Sequence, residues 1–255
     1  MSLKYVDPEN EAAAELAADD QQHAANERLV TAVPVAPYFT YILVASLIAV
    51  FLTQIAAGLD RSMGLADSDH ALIRGGEYWR LFTGATMHLA LYHLFFNGMA
   101  LFNLGRAIEY LSHRAHLAIV FFFSVAGGAL LSLFLLPDIS AVGASGGIVG
   151  LLGYLAVYGY KRRKLLPPSF MKNMLLNLGI LAAVGIFGYQ YIDNGAHLGG
   201  LLIGAAYGFI QISGDLHEDP RKADALTAWL GYACLAAFLG FAALTILLLT
   251  GKISL

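Results

Sequence analysis

Ser145 stands in Gly143-Ala144-Ser145-Gly146-Gly147, where loop-like composition gives way to an apolar run, and His197 holds a matching place in Asn194-Gly195-Ala196-His197-Leu198-Gly199-Gly200. A serine hydroxyl is a weak nucleophile until a base takes its proton, and a neutral histidine within hydrogen-bond reach is the usual base. In the first turn of a helix the serine would also sit among free backbone N–H groups at the positive end of the dipole. That setting favours a developing oxyanion. His93 and Asn97, four residues apart, share a helix face and could supply two further donors. On the same helix His88 projects about 140° away from His93 and reads as structural. The nearest carboxylate to His197 is Asp193, read as a loop residue, so the constellation is a serine–histidine dyad rather than a triad. Each piece also has a plainer reading, because Ser and Gly pack membrane helices and a His–Asn pair can bridge two of them.

The elements that must position these groups are apolar. Of 255 residues, 58% are hydrophobic and 13% charged, and the mean hydropathy of +0.65 is outside the range of a soluble domain. Runs near bilayer-crossing length fall at 39–58, 84–105, 115–136, 145–160, 174–192, 195–213 and 227–250. These predict seven helices in an all-α polytopic membrane protein. Gly146, Gly150 and Gly153 on the fourth run and Gly200 and Gly204 on the sixth form small-residue faces that would let the two backbones touch and bring imidazole to hydroxyl. Cys234 has no partner for a disulfide or a thiolate metal site, and no His-Glu-x-x-His sequence or pair of intramembrane aspartates occurs. No cofactor, metal or nucleic acid is expected.

The Lys161–Lys164 cluster, with Lys172, Arg106, Arg114, Arg221 and Lys222, assigns its loops to the cytoplasm and with them the N-terminus. Leu255 then lies outside. Arg61, Arg74 and Arg80 run against this but are balanced by Asp60, Asp67, Asp69 and Glu77. In this orientation Ser145 lies roughly 24 Å above Lys161 and His93 roughly 20 Å above Arg106, so the polar groups share one layer below the outer surface. The acidic, Ala-rich residues 1–36 lack the apolar core of a cleavable signal peptide and read as a cytoplasmic soluble tail.

These motifs resemble the rhomboid family of intramembrane serine proteases. Gly143-Ala144-Ser145-Gly146 resembles the nucleophile motif, and Ala196-His197-Leu198-Gly199-Gly200 with Gly204 the histidine motif. His88, His93 and Asn97 match the helix-two pattern, Trp79-Arg80 the first-loop element, and Gly105 with Glu109 the glycine-xxx-glutamate element. The resemblance covers about 39–213. It implies a six-helix catalytic core over 37–215; the segment after Asp215 departs from that core and resembles a six-plus-one arrangement, with a cytoplasmic linker at 216–226 and one additional transmembrane helix at 227–250, which need not touch the site. It further implies Ser145 as nucleophile, His197 as base, and His93, Asn97 and the Ser145 N–H as oxyanion donors, with Trp79, Arg80 and Glu109 as structural supports. Substrates would be transmembrane proteins entering from the lipid bilayer past the fifth helix and its end at Gly185–Gly188. With no targeting segment apparent in the sequence, a prokaryotic plasma membrane is the expected host. Val149 departs from the pattern, an aromatic residue being usual four positions beyond the serine. A client-binding pseudoprotease, a transporter with broken helices and a purely structural membrane protein stand as rival readings.

Overall fold

Hydrocarbon offers no hydrogen bonds, so apolar runs of this length satisfy their backbones internally as helices. The computed structural model describes residues 36–254. The expected tail, apart from Ala36, therefore lies outside the described residues, as does Leu255. In chain order the elements are α1 Tyr38–Ala57, α2 Leu59–Ser62, β1 Ser68–Asp69, α3 His70–Arg74, α4 Arg80–Thr86, α5 Leu91–Leu111, α6 Arg114–Leu135, β2 Ser140–Ala141, α7 Ser145–Lys161, α8 Pro168–Phe187, α9 Asn194–Gln211 and α10 Ala225–Leu249. Among the described residues α1, α6, α8 and α10 are long and apolar enough to cross a membrane. The other three long helices, α5, α7 and α9, carry the candidate chemistry.

Two expected boundaries move. The run at 84–105 is not one helix: α4 ends at Thr86, Met87 and Ala90 are extended, and α5 restarts at Leu91. The run at 174–192 becomes α8 at Pro168–Phe187, because Pro168 suits the first turn of a helix, where its missing N–H has no intrahelical role.

α7 is buried almost all round, from Gly146 to Gly159, and forms the centre of the structure. It packs on α6 and α9 through glycines. A Cβ on Gly200 would strike the Gly146 carbonyl, one on Gly204 the Gly150 carbonyl, and one on Gly153 would fall 2.6 Å from Leu201 O. Backbones this close are possible only without side chains. α5 and α1 lie outside this centre, joined by Glu109, which is buried and accepts from Thr40 N at 2.8 Å and Thr40 Oγ1 at 2.7 Å. The carboxylate thus satisfies free amides at the positive end of α1. α8 is peripheral, with only Met174 and Gly185 buried.

At the Ser145 end, two residues of strand pin the first long loop to the one before α7, Ser68 pairing with Ala141 and Asp69 with Ser140. Ser140 Oγ also donates to Asp67. Arg80, 5% exposed, gathers the loop around itself by donating to Asp67 Oδ1 at 2.9 Å, Gly64 O at 3.0 Å and Glu77 Oε2 at 2.6 Å. Its guanidinium also lies 4.6 Å from the Trp79 ring centroid. Arg80 is therefore neutralised inside the loop, which accounts for a basic residue on the side opposite the Lys161 cluster.

Candidate active site

Ser145 is the first residue of α7, half-buried, and the first intrahelical bond recorded after it runs from Ile148 N to Ala144 O at 3.0 Å. The amides of Ser145, Gly146 and Gly147 precede that bond and belong to the unpaired N-terminal set of the helix. Gly143, two residues earlier, has φ +125°, a conformation that glycine adopts readily and other residues rarely. Its N–H donates to Gly84 O at 3.0 Å, and a Cβ there would lie 2.9 Å from His93 Nε2. The His93 imidazole is thus stacked directly on the turn that presents Ser145.

His197 sits in the first turn of α9, half-buried, its N–H donating to Asp193 O at 3.1 Å. The residue before it, Ala196, is wedged between two helices: its carbonyl would lie 2.6 Å from a Cβ on Gly128 of α6 and 3.3 Å from one on Gly146 of α7. The neighbour of His197 therefore touches the neighbour of Ser145. Among the described residues no hydrogen bond joins the Ser145 hydroxyl to the His197 ring, whose Nδ1 is buried without a partner. Asn97, buried, spends one amide N–H on His93 O at 3.0 Å, which leaves the second for another acceptor. Val149, also buried, occupies the position four beyond the serine.

A cavity of about 40 Å³ opens beside the serine, lined among others by Ser68, His70, Gly84, Gly143, Ser145 and Asp193. A volume of this kind holds roughly three waters. Asp193 lies at the end of the loop, as expected, but it also has structural work: Oδ1 accepts from Ala196 N at 2.8 Å, capping α9, and Oδ2 from Ser132 Oγ at 2.6 Å. Among the described residues neither oxygen is hydrogen-bonded to the imidazole. His70 was not among the residues singled out from sequence. It is 1% exposed, and its Nδ1–H donates to Leu136 O at 2.6 Å. A lone histidine in a polar loop carries no periodic signal, and its partner lies 66 residues away.

The expected direction of His88 is corrected. Its ring meets that of His93 edge-on, with centroids 5.0 Å apart. The helical projection fails because the chain is extended between α4 and α5. Gln54 clamps that segment, accepting from His88 N at 2.9 Å and donating to His88 O at 3.2 Å, and both ring nitrogens of His88 are buried without partners.

Over residues 75–214 the sequence matches the family model for the Rhomboid domain. It is 32% identical over 172 residues to Rhomboid protease GluP of Bacillus subtilis (strain 168), covering 66% of this chain and 34% of that protein. It is 31% identical over 180 residues to Rhomboid protease GlpG of Enterobacter sp. (strain 638), covering 67% and 62%. A plant protein, RHOMBOID-like protein 6, mitochondrial, of Arabidopsis thaliana, is 33% identical over 147 residues, covering 54% and 45%. The matches therefore span between 34% and 62% of the length of these relatives.

Proposed function

The chain belongs to the rhomboid family, and from that premise we propose that it is an intramembrane serine endopeptidase, cleaving a peptide bond in or beside a transmembrane segment of another membrane protein. It is a multi-pass membrane protein, with four helices of spanning length and apolarity among the described residues. In the proposed architecture α1 and α5 to α9 form a six-helix core over 37–215. Residues 216–226 link it to α10 as the added helix, and the N-terminus faces the cytoplasm of a prokaryotic cell on the side of Lys161–Lys164.

In the proposed reaction Ser145 Oγ attacks the substrate carbonyl while His197 takes its proton. His197 Nε2 is the nitrogen for this step, Nδ1 being buried. The oxyanion receives the Ser145 N–H, the remaining Asn97 N–H and the His93 imidazole. His197 then protonates the leaving amine, and water, activated by the same imidazole, hydrolyses the acyl-enzyme. Substrate enters past α8, whose most apolar stretch is 11% buried against 39–50% in α1, α6 and α10, so of these four helices it is the one least held by its neighbours.

The observation that carries this reading is the glycine seam of α7 and α9, in which the residues adjoining Ser145 and His197 meet. The test is cleavage of a transmembrane substrate by purified protein in detergent, with Ser145→Ala and His197→Ala alongside. Wild type is expected to give product and both variants none. Equal product from all three means that the cleavage comes from a contaminant and not from the dyad, which overturns the proposed catalytic pair; none from any across several substrates overturns the protease reading and favours a client-binding pseudoprotease.

A further inference from the structure

The seventh long helix, α10, packs where an accessory helix has no need to: on α4, the short segment that walls the Ser145 cavity. Thr245 Oγ1 and Thr86 Oγ1 lie 2.9 Å apart, both residues being fully buried; each hydroxyl also reaches a carbonyl of its own helix, Thr245 that of Phe241 at 2.9 Å and Thr86 that of Thr83 at 2.7 Å, so with one proton apiece one hydroxyl donates across the interface and the other to its own helix. One turn away Phe82 of α4 is stacked on Phe241 of α10, with centroids 4.4 Å apart and planes at 10°, and on Phe122 of α6 at 4.8 Å and 16°. Ala242, Leu248 and Leu249 continue the contact, in one buried cluster with Met87, Ala66 and Val50.

The other side of α4 faces the nucleophile. Leu81, Gly84 and Ala85 line the cavity, and Gly84 O accepts the Gly143 N–H. There is no slack at this point: a Cβ on Gly84 would lie 2.6 Å from Ser68 N and 3.2 Å from Ala141 O. Gly143 in turn bears on the His93 ring. From Thr245 the contact passes to Thr86, along the single helix α4 to Gly84, and from Gly84 through Gly143 to the donor His93 and the turn that presents Ser145.

We propose that α10 is a positioning element for the Ser145 site, and that Thr245, through its hydrogen bond to Thr86 on α4, is a positioning residue that holds Gly84, and with it Gly143 and His93, in register with the nucleophile. The inference rests on the protease reading of the site. A packed interface transmits sub-ångström displacement instead of absorbing it, and small misplacement of reacting groups is expensive in rate. Thr245→Val keeps the shape and removes the hydroxyl, and Thr245→Ser keeps the hydroxyl.

The experiment uses the full chain in proteoliposomes, measuring kcat and KM on a transmembrane substrate, the unfolding temperature, and hydrogen exchange of the 140–147 segment. Thr245→Val is expected to lower kcat about tenfold, with KM and unfolding temperature unchanged and faster exchange at Gly143. Thr245→Ser is expected to restore both kcat and protection. Unchanged kcat and exchange in Thr245→Val overturns the inference. So does a loss of kcat that merely follows a fall in unfolding temperature and is not rescued by serine. Should wild type prove no more active than Ser145→Ala, it is the protease reading that falls, and the exchange difference alone then decides whether α10 sets the conformation of the turn.

Discussion

The two candidate oxyanion side chains differ in how firmly they are held. Asn97 is buried and tied to its own helix through His93 O, whereas the His93 ring leans on Gly143, a glycine that cannot be replaced without moving it. Removing one such donor commonly lowers kcat by about 10²–10³. Asn97→Ala and His93→Ala are each expected to show a loss of that order with KM little changed, measured on a transmembrane substrate at saturating concentration. A loss confined to KM would show that these groups bind substrate and do not stabilise the transition state. At this scale the sequence singles out Ser145, His197, His93 and Asn97 as candidates, because polar groups within apolar helices are expensive and stand out. It was silent about His70, since a histidine in a polar loop is unremarkable until the fold brings Leu136 O to its ring.

Helix positions were read well where a glycine pattern or a continuous apolar run defined them, and less well where a run concealed a break. The α7–α9 seam follows from glycines at four-residue spacing on both helices, a local and periodic signal. It predicts sharply different tolerances among glycines. Gly204→Val drives a side chain into the Gly150 carbonyl and is expected to destabilise the protein by about 1–3 kcal/mol, lowering the unfolding temperature by several degrees and abolishing activity. Gly240→Ala in α10, with open space at its Cβ position, is expected to change neither. Thermal unfolding in detergent with a parallel cleavage assay distinguishes the two. Equal sensitivity at both positions would mean that the backbones are not in contact. The interruption between α4 and α5 escaped the periodic reading because Met87, Leu89 and Ala90 are as apolar as the helices around them. The clamp on that segment comes from Gln54, 34 positions earlier.

Across the whole molecule, buried polar bonds tie the helices at both ends. At the end opposite Ser145, Glu109 joins α5 to α1. Hydrogen bonds to a buried charged group contribute about 1.5–3 kcal/mol each. Glu109→Ala is therefore expected to reduce stability by about 3 kcal/mol while leaving kcat per folded molecule unchanged, as read by unfolding together with activity normalised to active-site labelling. A fall in kcat without loss of stability would instead make Glu109 part of the site. At the Ser145 end the long loop is held by Arg80, Asp67 and the short strand pair, and α4 is held against it by α10. The resemblance alone left the added helix with no reason to contact the site. Among the described residues no α10 residue lines the cavity; α10 reaches it only through α4, by Phe82, Thr86, Phe241 and Thr245 occupying one buried interface, which no local pattern announces.

By itself, the sequence determined the helical membrane class, the extent of most helices, and the four polar residues in which chemistry could reside. Those features depend on hydropathy, glycine spacing and the cost of polar groups in hydrocarbon, all of which operate over a few turns of chain. Only the tertiary structure decided that His88 meets His93, that His70 and Asp193 share a cavity with Ser145, and that α10 braces α4. The first turns on the clamp from Gln54, 34 positions before His88, and the other two join groups far apart in the chain, Thr86 and Thr245 by 159 positions. Such pairings are selected by the packing of the whole helix set, where a threonine or a phenylalanine on an apolar face has many possible neighbours and the assembled fold leaves it one.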